Sequence, residues 1–304
     1  MSEDDGEIPH SGPSKNDGEI PHGRPSQDDG EAPHGRPSQD DVEVLHGGMT
    51  HVGAVVRRGD TVGRPAQPHT PVLHAHLRAL AAAGFDGAPT PLGVSEDGLR
   101  ERLGHVPGKV PIPPLPPWAL TDEALRSVAA LLRRLHRASA SLPVDRTVPW
   151  PAELADPDAG SLPDSALILC HNDVCPENVV FRQGRAAAFI DFDLTAPGRP
   201  LWDVATTARY WVRLSGEDPG AAHRLRVLAD GYGLTAQERA GLLPTIEQAA
   251  AAARAFTERR VRDGSPVHLR ALADRGGWER WDRHQAWLAA NRAALTERLL
   301  RDAR

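Results

Sequence analysis

The stretch HNDVCPENVVFRQGRAAAFIDFD, residues 171–193, decides the fold that this sequence is expected to adopt. It places a carboxylate at Asp173, an amide at Asn178 and a second carboxylate at Asp191. The segment between the last two is rich in apolar residues and has a Gln-Gly pair at its centre, which predicts a β-hairpin. Such a hairpin would return Asp191 to the side of Asn178.

These residue types suit phosphoryl transfer from ATP. That reaction needs positioning, metal ions to neutralise the phosphates, and a group that receives the proton of the attacking hydroxyl. Mg²⁺ prefers oxygen ligands and usually takes one or two carboxylates beside phosphates and waters. A free carboxylate, an amide oxygen five residues later and a carboxylate beyond a hairpin supply these parts.

Composition excludes several other classes of protein. The chain has 304 residues, a formal net charge of −6 and a pI of about 6.2, which argues against a nucleic-acid-binding surface. Its two cysteines, Cys170 and Cys175, cannot build a disulfide framework, so a cytoplasmic location is expected. The acidic N-terminus does not resemble a signal peptide, and no long apolar run predicts a membrane span.

The first forty residues form a repeat. Three twelve-residue units run from Asp5 to Asp40, and the last two read DGEIPHGRPSQD and DGEAPHGRPSQD. The units are rich in proline, glycine and charge and contain few large apolar residues, so they cannot bury enough surface to offset the entropy of ordering. We predict a disordered tail over 1–40.

The next part of the chain is expected to be a small lobe rich in β-strands, residues 41–110. Short β-branched segments broken by glycines predict three antiparallel strands, with Gly47 and Gly48 in the first connection. A helix begins at Pro71, and a further strand pair turns at an Asp-Gly sequence. The proline-rich PIPPLPPWAL then marks the boundary between two lobes, since it is incompatible with a helix or a central strand.

The remainder, residues 111–304, is predicted to be a larger and mostly helical lobe. Thr121 is an N-cap followed by two acidic residues, and apolar residues then recur at helical spacing as far as Ser139. ALILC predicts a short strand leading into the opening stretch. Beyond Asp193 the pattern is again helical. The expected fold class is therefore α+β, with two lobes behind a disordered tail.

The pattern of the opening stretch resembles the catalytic loop of the protein-kinase-like superfamily, in which an asparagine follows the catalytic aspartate by five residues. The whole constellation is similar to the branch of aminoglycoside phosphotransferases and choline kinases. The resemblance covers roughly residues 41–300 and is specific between 166 and 206. It implies a two-lobe protein-kinase-like fold.

The resemblance also implies roles for single residues. Asp173 is expected to be the catalytic base, or the group that orients the acceptor hydroxyl. Asn178 and Asp191 are expected to be Mg²⁺ ligands, and Asp193 is expected either to add a metal contact or to cap the next turn. The sequence PGRPLWDVA is similar to a signature in which an aspartate, here Asp203, holds the catalytic-loop backbone from the helix behind it.

Other residues follow from the same resemblance. His171 is expected to brace the loop. Backbone groups of Gly104 and Val106 are placed where such enzymes bind adenine. Gly47 and Gly48 are either a phosphate-binding turn or an ordinary hairpin turn.

Two features depart from the pattern. Protein kinases have a lysine two residues after the catalytic aspartate, where this chain has Cys175, and an A-P-E motif is missing. The third strand offers Arg64 in place of the phosphate-binding lysine, and the following helix offers no acid. Arg64 is therefore either a phosphate ligand or a solvated surface charge, with His74 or His76 as the candidate groups to face it.

We predict an ATP- and Mg²⁺-dependent transfer of the γ-phosphoryl group to a hydroxyl of a small molecule, an aminoglycoside or another alcohol. The altered Arg64 site leaves a second hypothesis open, a degenerate scaffold that binds nucleotide without transfer. A protein kinase is the third. No nucleic-acid partner, membrane association or obligate protein partner is expected.

Overall fold

The computed structural model describes residues 42–45, 54–212, 214 and 220–301. The predicted repeat tail and the Gly47-Gly48 pair lie outside the described residues. Within the described ranges, no helix is both long and apolar enough to cross a membrane.

The N-terminal lobe is an antiparallel five-stranded sheet. Its strand order is β1-β2-β3-β5-β4, so the last two strands exchange places relative to the chain. The register pairs Arg64 of the third strand with Glu101 of the fifth. The strands are β1 (Val42–Val44), β2 (Val56–Arg58), β3 (Thr61–Pro65), β4 (Pro91–Val94) and β5 (Arg100–Gly104).

Helix α1 (Thr70–Ala82) packs beside this sheet and joins it to the core. Proline stands in its first turn, where the missing N–H costs no helical hydrogen bond. Leu73, Leu77 and Leu80 recur at helical spacing and are fully buried. Gly84, with φ +85°, follows its C-terminus in the left-handed conformation that glycine adopts readily.

The segment between the lobes is fastened to the C-terminal lobe. Lys109 and Phe181 exchange two backbone hydrogen bonds of 2.8 and 2.9 Å. A Cβ at Gly108 would lie 2.4 Å from the Val180 side chain, so only glycine fits this close approach. The proline-rich stretch after it was expected to be without helix, but its last residues, Pro117–Leu120, form a short 3₁₀ turn.

Helix α2 (Asp122–Ser139) is the central helix of the C-terminal lobe. Thr121 caps it, since its hydroxyl accepts the amide of Ala124 at 3.1 Å. The predicted apolar face is confirmed, and its four residues are at most 1% exposed: Leu125, Val128, Leu132 and Leu135. This face belongs to the core against which the predicted catalytic segment, residues 171–193, packs.

Two small sheets hold the stretch of residues 171–193. The predicted hairpin is confirmed as β7 (Val179–Arg182) and β8 (Arg185–Phe189), with both turn residues at positive φ. The predicted strand β6 (Ile168–Cys170) pairs with β9 (Ala196–Gly198), which the sequence did not reveal. The two pairings hold both ends of the catalytic segment in place.

The rest of the C-terminal lobe is helical, as predicted. It comprises α3 (Pro200–Trp211), α4 (Ala221–Tyr232), α5 (Ala236–Arg262), α6 (Pro266–Asp274) and α7 (Gly277–Leu300), of which α6 was not expected. Thr235 and Glu238 form a reciprocal capping box at the start of α5. An antiparallel sheet followed by a helical lobe confirms the predicted α+β fold class.

Candidate active site

The backbone of the predicted catalytic loop, residues 171–178, is held by Asp203, which α3 presents from behind it. The carboxylate of Asp203 accepts the backbone amide of His171 at 2.8 Å and that of Asn172 at 2.9 Å. Asp203 is fully buried. The start of the loop is therefore tied to a helix rather than to solvent.

A second layer supports Asp203. His136 of α2 lies 3.0 Å from its carboxylate through Nε2, and the other ring nitrogen of His136 lies 2.7 Å from the hydroxyl of Tyr232. Burial acts to raise the pKa of Asp203, but the hydrogen bond and charge of His136, together with His171, outweigh it and lower that pKa. Asp203 thus remains an ionised acceptor in the core.

His171 spans the loop. Its Nε2 donates to the carbonyl of Ile190 at 3.0 Å, and its Nδ1 accepts the amide of Asp173 at 3.3 Å. The ring also packs against Phe192, with centroids 4.4 Å apart. This imidazole links the loop to the end of the hairpin, which agrees with its expected role of bracing the loop.

The carboxylate of Asp173 is held at both oxygens. Tyr210 of α3 donates its hydroxyl to Oδ1 at 2.7 Å, and Asn178 donates its amide to Oδ2 at 2.9 Å. Burial, followed by the negative charge of Asp173, raises the pKa of Tyr210 well above its usual value, so the phenol stays a donor. The sequence analysis missed Tyr210, because a phenol seven residues after Asp203 in a helix carries no distinctive pattern.

The hairpin brings Asp191 back beside Asn178. The amide of Ile190 donates to the carbonyl of Asn178 at 2.9 Å, so the next residue, Asp191, lies against the end of the loop. Asp191 has φ 62° and ψ 66°, a left-handed conformation that is uncommon outside glycine and is concentrated at functional sites. Burial, then the neighbouring charge of Asp193, raises the pKa of Asp191 against the opposing charge of Arg64.

Arg64 joins the two lobes. Its guanidinium binds Asp191 at 2.6 Å through Nη1, Asp193 at 2.6 Å through Nη2, and Glu101 at 2.7 Å through Nε. The Arg64 side chain is only 7% exposed, so the interpretation as a solvated surface charge is wrong. Burial opposes its charge, but the three carboxylates outweigh burial and raise the pKa of Arg64.

The acid partner of Arg64 comes from an unexpected place. The sequence analysis looked for it on the helix after β3 and found none. The structure provides Glu101 from β5, directly across the sheet from Arg64. His74 of α1 completes the cluster at 2.6 Å from Glu101, so that histidine faces the glutamate rather than Arg64 itself. His76 is not part of this cluster. Burial lowers its pKa to about 4.

The adenine-binding segment predicted at 103–108 is continuous with the sheet. The amide of Gly104 donates to the carbonyl of Thr90 at 2.8 Å, and the amide of His105 donates to the backbone carbonyl of Asp60 at 2.8 Å. Arg182 of the hairpin donates to the carbonyl of Pro107 at 2.9 Å. These bonds hold the segment at fixed positions between the lobes, with Val106 in its middle.

The two cysteines lie close to the site but are not activated. Burial raises the pKa of Cys175 well above its usual value, and the charge of Asp173 adds to the effect. Burial raises the pKa of Cys170 in the same way. A reactive thiol needs electropositive surroundings, and neither residue has them.

Comparison with known proteins identifies the family. Residues 142–243, which contain the catalytic loop and Asp203, match the family described as "Phosphotransferase enzyme family". A relative from Rhizobium leguminosarum bv. trifolii, named "Trifolitoxin immunity protein", is 30% identical over 203 residues, which are 63% of this chain and 75% of the relative. The chain belongs to the phosphotransferase enzyme family.

Solved structures agree with this family at the level of the fold. A choline/ethanolamine kinase family protein from Mesorhizobium loti superposes with a TM-score of 0.60 and 19% identity, over 86% of this chain and 92% of that chain. The GDP complex of aminoglycoside 2'-phosphotransferase-IIIa gives a TM-score of 0.51 and 14% identity, over 84% and 94%. Family and fold together make the protein a phosphotransferase that acts on hydroxyl groups of small molecules.

Proposed function

We propose that this family member transfers the γ-phosphoryl group of ATP to an alcohol, with Mg²⁺ as cofactor and Asp173 as the group that receives the acceptor. One observation carries the proposal. The Asp173 carboxylate is fixed at both oxygens by Tyr210 and Asn178, and the Asp191–Asp193 pair ends the adjoining hairpin. Oriented carboxylates of this kind supply positioning, which is most of what phosphoryl transfer asks of a protein.

The reaction assigns one role to Asp173. The acceptor oxygen forms a bond to the γ-phosphorus as the bond between that phosphorus and the β,γ-bridging oxygen breaks. ADP leaves, and the acceptor proton passes to the carboxylate. Both oxygens of Asp173 keep a free lone pair beside the donors that they accept from, so either can receive the hydroxyl. Tyr210 and Asn178 hold that carboxylate in the orientation needed to meet it.

The residues around Asp191 fit Mg²⁺. Asp191 and Asp193 offer hard oxygen donors and share the guanidinium of Arg64, and Asn178 offers an amide oxygen. The charge of Asp173 lies close enough to help raise the pKa of Asp191, so negative charge is in excess. The described residues contain no set of three or more histidine, cysteine or acidic side chains arranged as a complete metal site. Magnesium needs only one or two carboxylates when phosphates complete its shell, and it would neutralise charge on the phosphates.

Arg64 is the proposed phosphate ligand of the N-terminal lobe. A guanidinium can bind phosphate through two parallel donors. Glu101 holds this one by Nε, and the other two nitrogens, which bind Asp191 and Asp193 in the structure, would turn to the phosphates when nucleotide binds. Backbone groups of Gly104 and Val106 would bind adenine. The Gly47-Gly48 pair remains a proposed contact to the phosphates. A cytoplasmic location follows from the use of ATP and from two free cysteines.

A degenerate nucleotide-binding scaffold is the second candidate. The observation that favours it is the pairing of Arg64 with both Asp191 and Asp193, since an arginine in that place competes with a metal ion for the same oxygens. Steady ADP release separates the two candidates. The enzyme should release ADP faster when a suitable alcohol is added to Mg·ATP, whereas the scaffold should not.

The test is a screen of alcohols for acceptor-dependent ADP release with Mg·ATP. The panel should include aminoglycosides and other amino alcohols. It should also include hydroxyl-bearing toxins, because the relative from Rhizobium is named an immunity protein. We expect at least one class to raise the rate above that with water alone, and chelation of Mg²⁺ to remove the gain. Binding of Mg·ATP without acceptor-dependent release from any class would favour the scaffold.

A further inference from the structure

The guanidinium of Arg64 contacts a carboxylate through each of its three nitrogens. Its Nε lies 2.7 Å from an oxygen of Glu101. Its Nη1 and Nη2 each lie 2.6 Å from a carboxylate oxygen, the first from Asp191 and the second from Asp193. We call these four side chains the arginine clasp. The clasp joins β3 and β5 of the sheet to the end of the β7–β8 hairpin.

The backbone places the two aspartates of the clasp without help from Arg64. The amide of Ile190 donates to the carbonyl of Asn178 at 2.9 Å, which fixes the chain immediately before Asp191. Phe192 lies between the two aspartates in sequence, and it is buried. Because these contacts anchor the acids, the clasp can open by a movement of the arginine side chain while the acid pair stays in place.

Burial makes the charge of Arg64 effective against a second cation. The side chains of Arg64 and Asp193 are only 7% and 12% exposed. A divalent cation bound to the aspartates would lie beside this guanidinium, and like charges repel strongly where little water screens them. A cation that displaced the guanidinium would instead leave a buried positive charge with fewer partners. The clasp therefore opposes the binding of a bare cation in both cases.

A nucleotide changes this balance because it brings acceptors for the arginine. Phosphate oxygens accept hydrogen bonds from the two parallel donors of a guanidinium, as carboxylates do. Arg64 can then exchange carboxylate oxygens for phosphate oxygens and remain paired. The negative charge of the phosphates also offsets the charge of a metal ion that accompanies them.

We propose that the arginine clasp is a resting state that keeps Asp191 and Asp193 from binding a divalent cation until nucleotide phosphates give Arg64 new partners. The inference rests on the proposed function, because it concerns the metal and nucleotide site of that reaction. It makes the pairing of Arg64 with both aspartates a property of the enzyme before nucleotide binds. Mg²⁺ then enters this site together with the nucleotide and not before it.

The test compares Mg²⁺ binding with and without nucleotide. MgCl₂ is titrated into the full chain by calorimetry, and the rise in melting temperature is compared with that in NaCl of equal ionic strength. We expect wild type to respond to Mg·ADP but not to Mg²⁺ alone. Arg64→Gln should bind Mg²⁺ alone at least tenfold more tightly than wild type, because the acids remain and the positive charge is gone. Equal binding of Mg²⁺ alone by the two proteins, strong or absent, overturns the proposal.

Further variants locate the effect. Arg102→Gln is the matched control, because Arg102 is an exposed arginine on β5 of the same sheet, and it should behave as wild type does. Adding Asp191→Asn to Arg64→Gln should remove the gain in Mg²⁺ binding, and a gain that persists would contradict the proposal. Arg64→Met provides the same test if Arg64→Gln does not fold. Tight binding of Mg²⁺ alone by wild type overturns the proposal without any variant.

Failure of the proposed function has a different signature. If Mg·ADP does not stabilise wild type, the nucleotide site is wrong, and Mg²⁺ binding gained in Arg64→Gln would still show that the arginine blocks the acid pair. If wild type binds Mg²⁺ without nucleotide and also shows alcohol-dependent ADP release, transfer is supported and the clasp is contradicted. The two claims can therefore fail separately.

Discussion

Two buried carboxylates organise the two lobes, and they are neutralised in different ways. Asp203, in the C-terminal lobe, accepts two backbone amides and contacts His136. Glu101, in the N-terminal lobe, binds Arg64 and His74. Both carboxylates are almost completely inaccessible, with exposures of 0% and 1%. One is satisfied mainly by fixed peptide groups of its own lobe, and the other by side chains.

This difference separates a fixed support from an adjustable one. The amides of the loop cannot move without breaking the fold around them. Asp203 therefore supports only one arrangement of the loop backbone. Arg64 is shared between Glu101 and two acids of the other lobe, so its contacts depend on what occupies the space between the lobes. We therefore expect Asp203 to matter most for stability and loop geometry, and Glu101 to matter most for nucleotide binding.

The largest effect is expected for Asp203→Asn. Removing one partner of a buried charged network leaves donors unpaired, and the free energy of unfolding should fall by about 3 kcal/mol. Turnover should fall by about 100-fold or more, since small displacements of a catalytic group have effects of that size. Urea unfolding and ADP release measure the two.

A matched control for that variant is Asp164→Asn, because Asp164 is exposed and pairs with Arg146 on the surface. It should change the free energy of unfolding by less than about 0.5 kcal/mol. Similar losses for both variants would show that Asp203 has no special place in the fold.

Glu101→Gln should have a smaller effect on stability than Asp203→Asn and a larger effect on nucleotide binding. Arg64 keeps Asp191 and Asp193, but residue 101 loses the charge that faces both Arg64 and His74, so we expect a loss of about 2 kcal/mol. The KM for ATP should rise because the guanidinium is no longer held toward the phosphates. Glu43→Gln is the control, since Glu43 is an exposed partner of Arg57. An unchanged KM with a large loss of stability would reverse the comparison.

Tyr210→Phe removes only one hydrogen bond to Asp173. Stability should fall by about 1 kcal/mol, the usual contribution of such a bond. Turnover should fall several-fold, because the Asp173 carboxylate loses part of its orientation. The rise in melting temperature that Mg·ATP causes should not change, because the nucleotide site is untouched. Tyr232→Phe, which removes the hydroxyl beside His136, should leave Asp173 in place. Turnover equal to wild type would contradict the role given to Tyr210.

The smallest effect is expected from pH. Burial lowers the pKa of His76 from 6.5 to about 4, so the unfolded chain binds the proton more tightly than the folded protein. Stability from this group is complete above pH 6.5 and is lost as the pH falls toward 4, by about 1 kcal/mol between pH 7.5 and 5.5. His76→Leu should flatten that part of the stability curve. A variant with the same pH dependence as wild type would exclude His76 as its source.

The sequence predicted what depends on short spacings. The loop, the hairpin and the return of Asp191 to Asn178 lie within twenty-three residues, and their geometry follows from local turn chemistry. Helix α2 was equally readable, because its cap and its apolar period stand in one segment. The strand β9 and helix α6 were missed, since three residues of strand and a nine-residue helix give weak periodic signals.

Contacts across the sheet and between helices could not be predicted from the sequence. Glu101 meets Arg64 only because β3 and β5 are neighbours in that register, which no local pattern specifies. Tyr210 reaches Asp173 through the placement of α3 behind the loop. In each case the missing information was tertiary, and the residue types were unremarkable by themselves.

The central claim is that Asp173 serves the acceptor while Asp191 serves the nucleotide, and one paired measurement tests it. Mg·ATP stabilisation and acceptor-dependent ADP release are measured on wild type, Asp173→Asn and Asp191→Asn. We predict that Asp173→Asn keeps the rise in melting temperature and loses turnover by about 100-fold or more. Asp191→Asn should show a much smaller rise in melting temperature when Mg·ATP is added. Loss of the Mg·ATP shift in Asp173→Asn, or full turnover in that variant, would contradict the account.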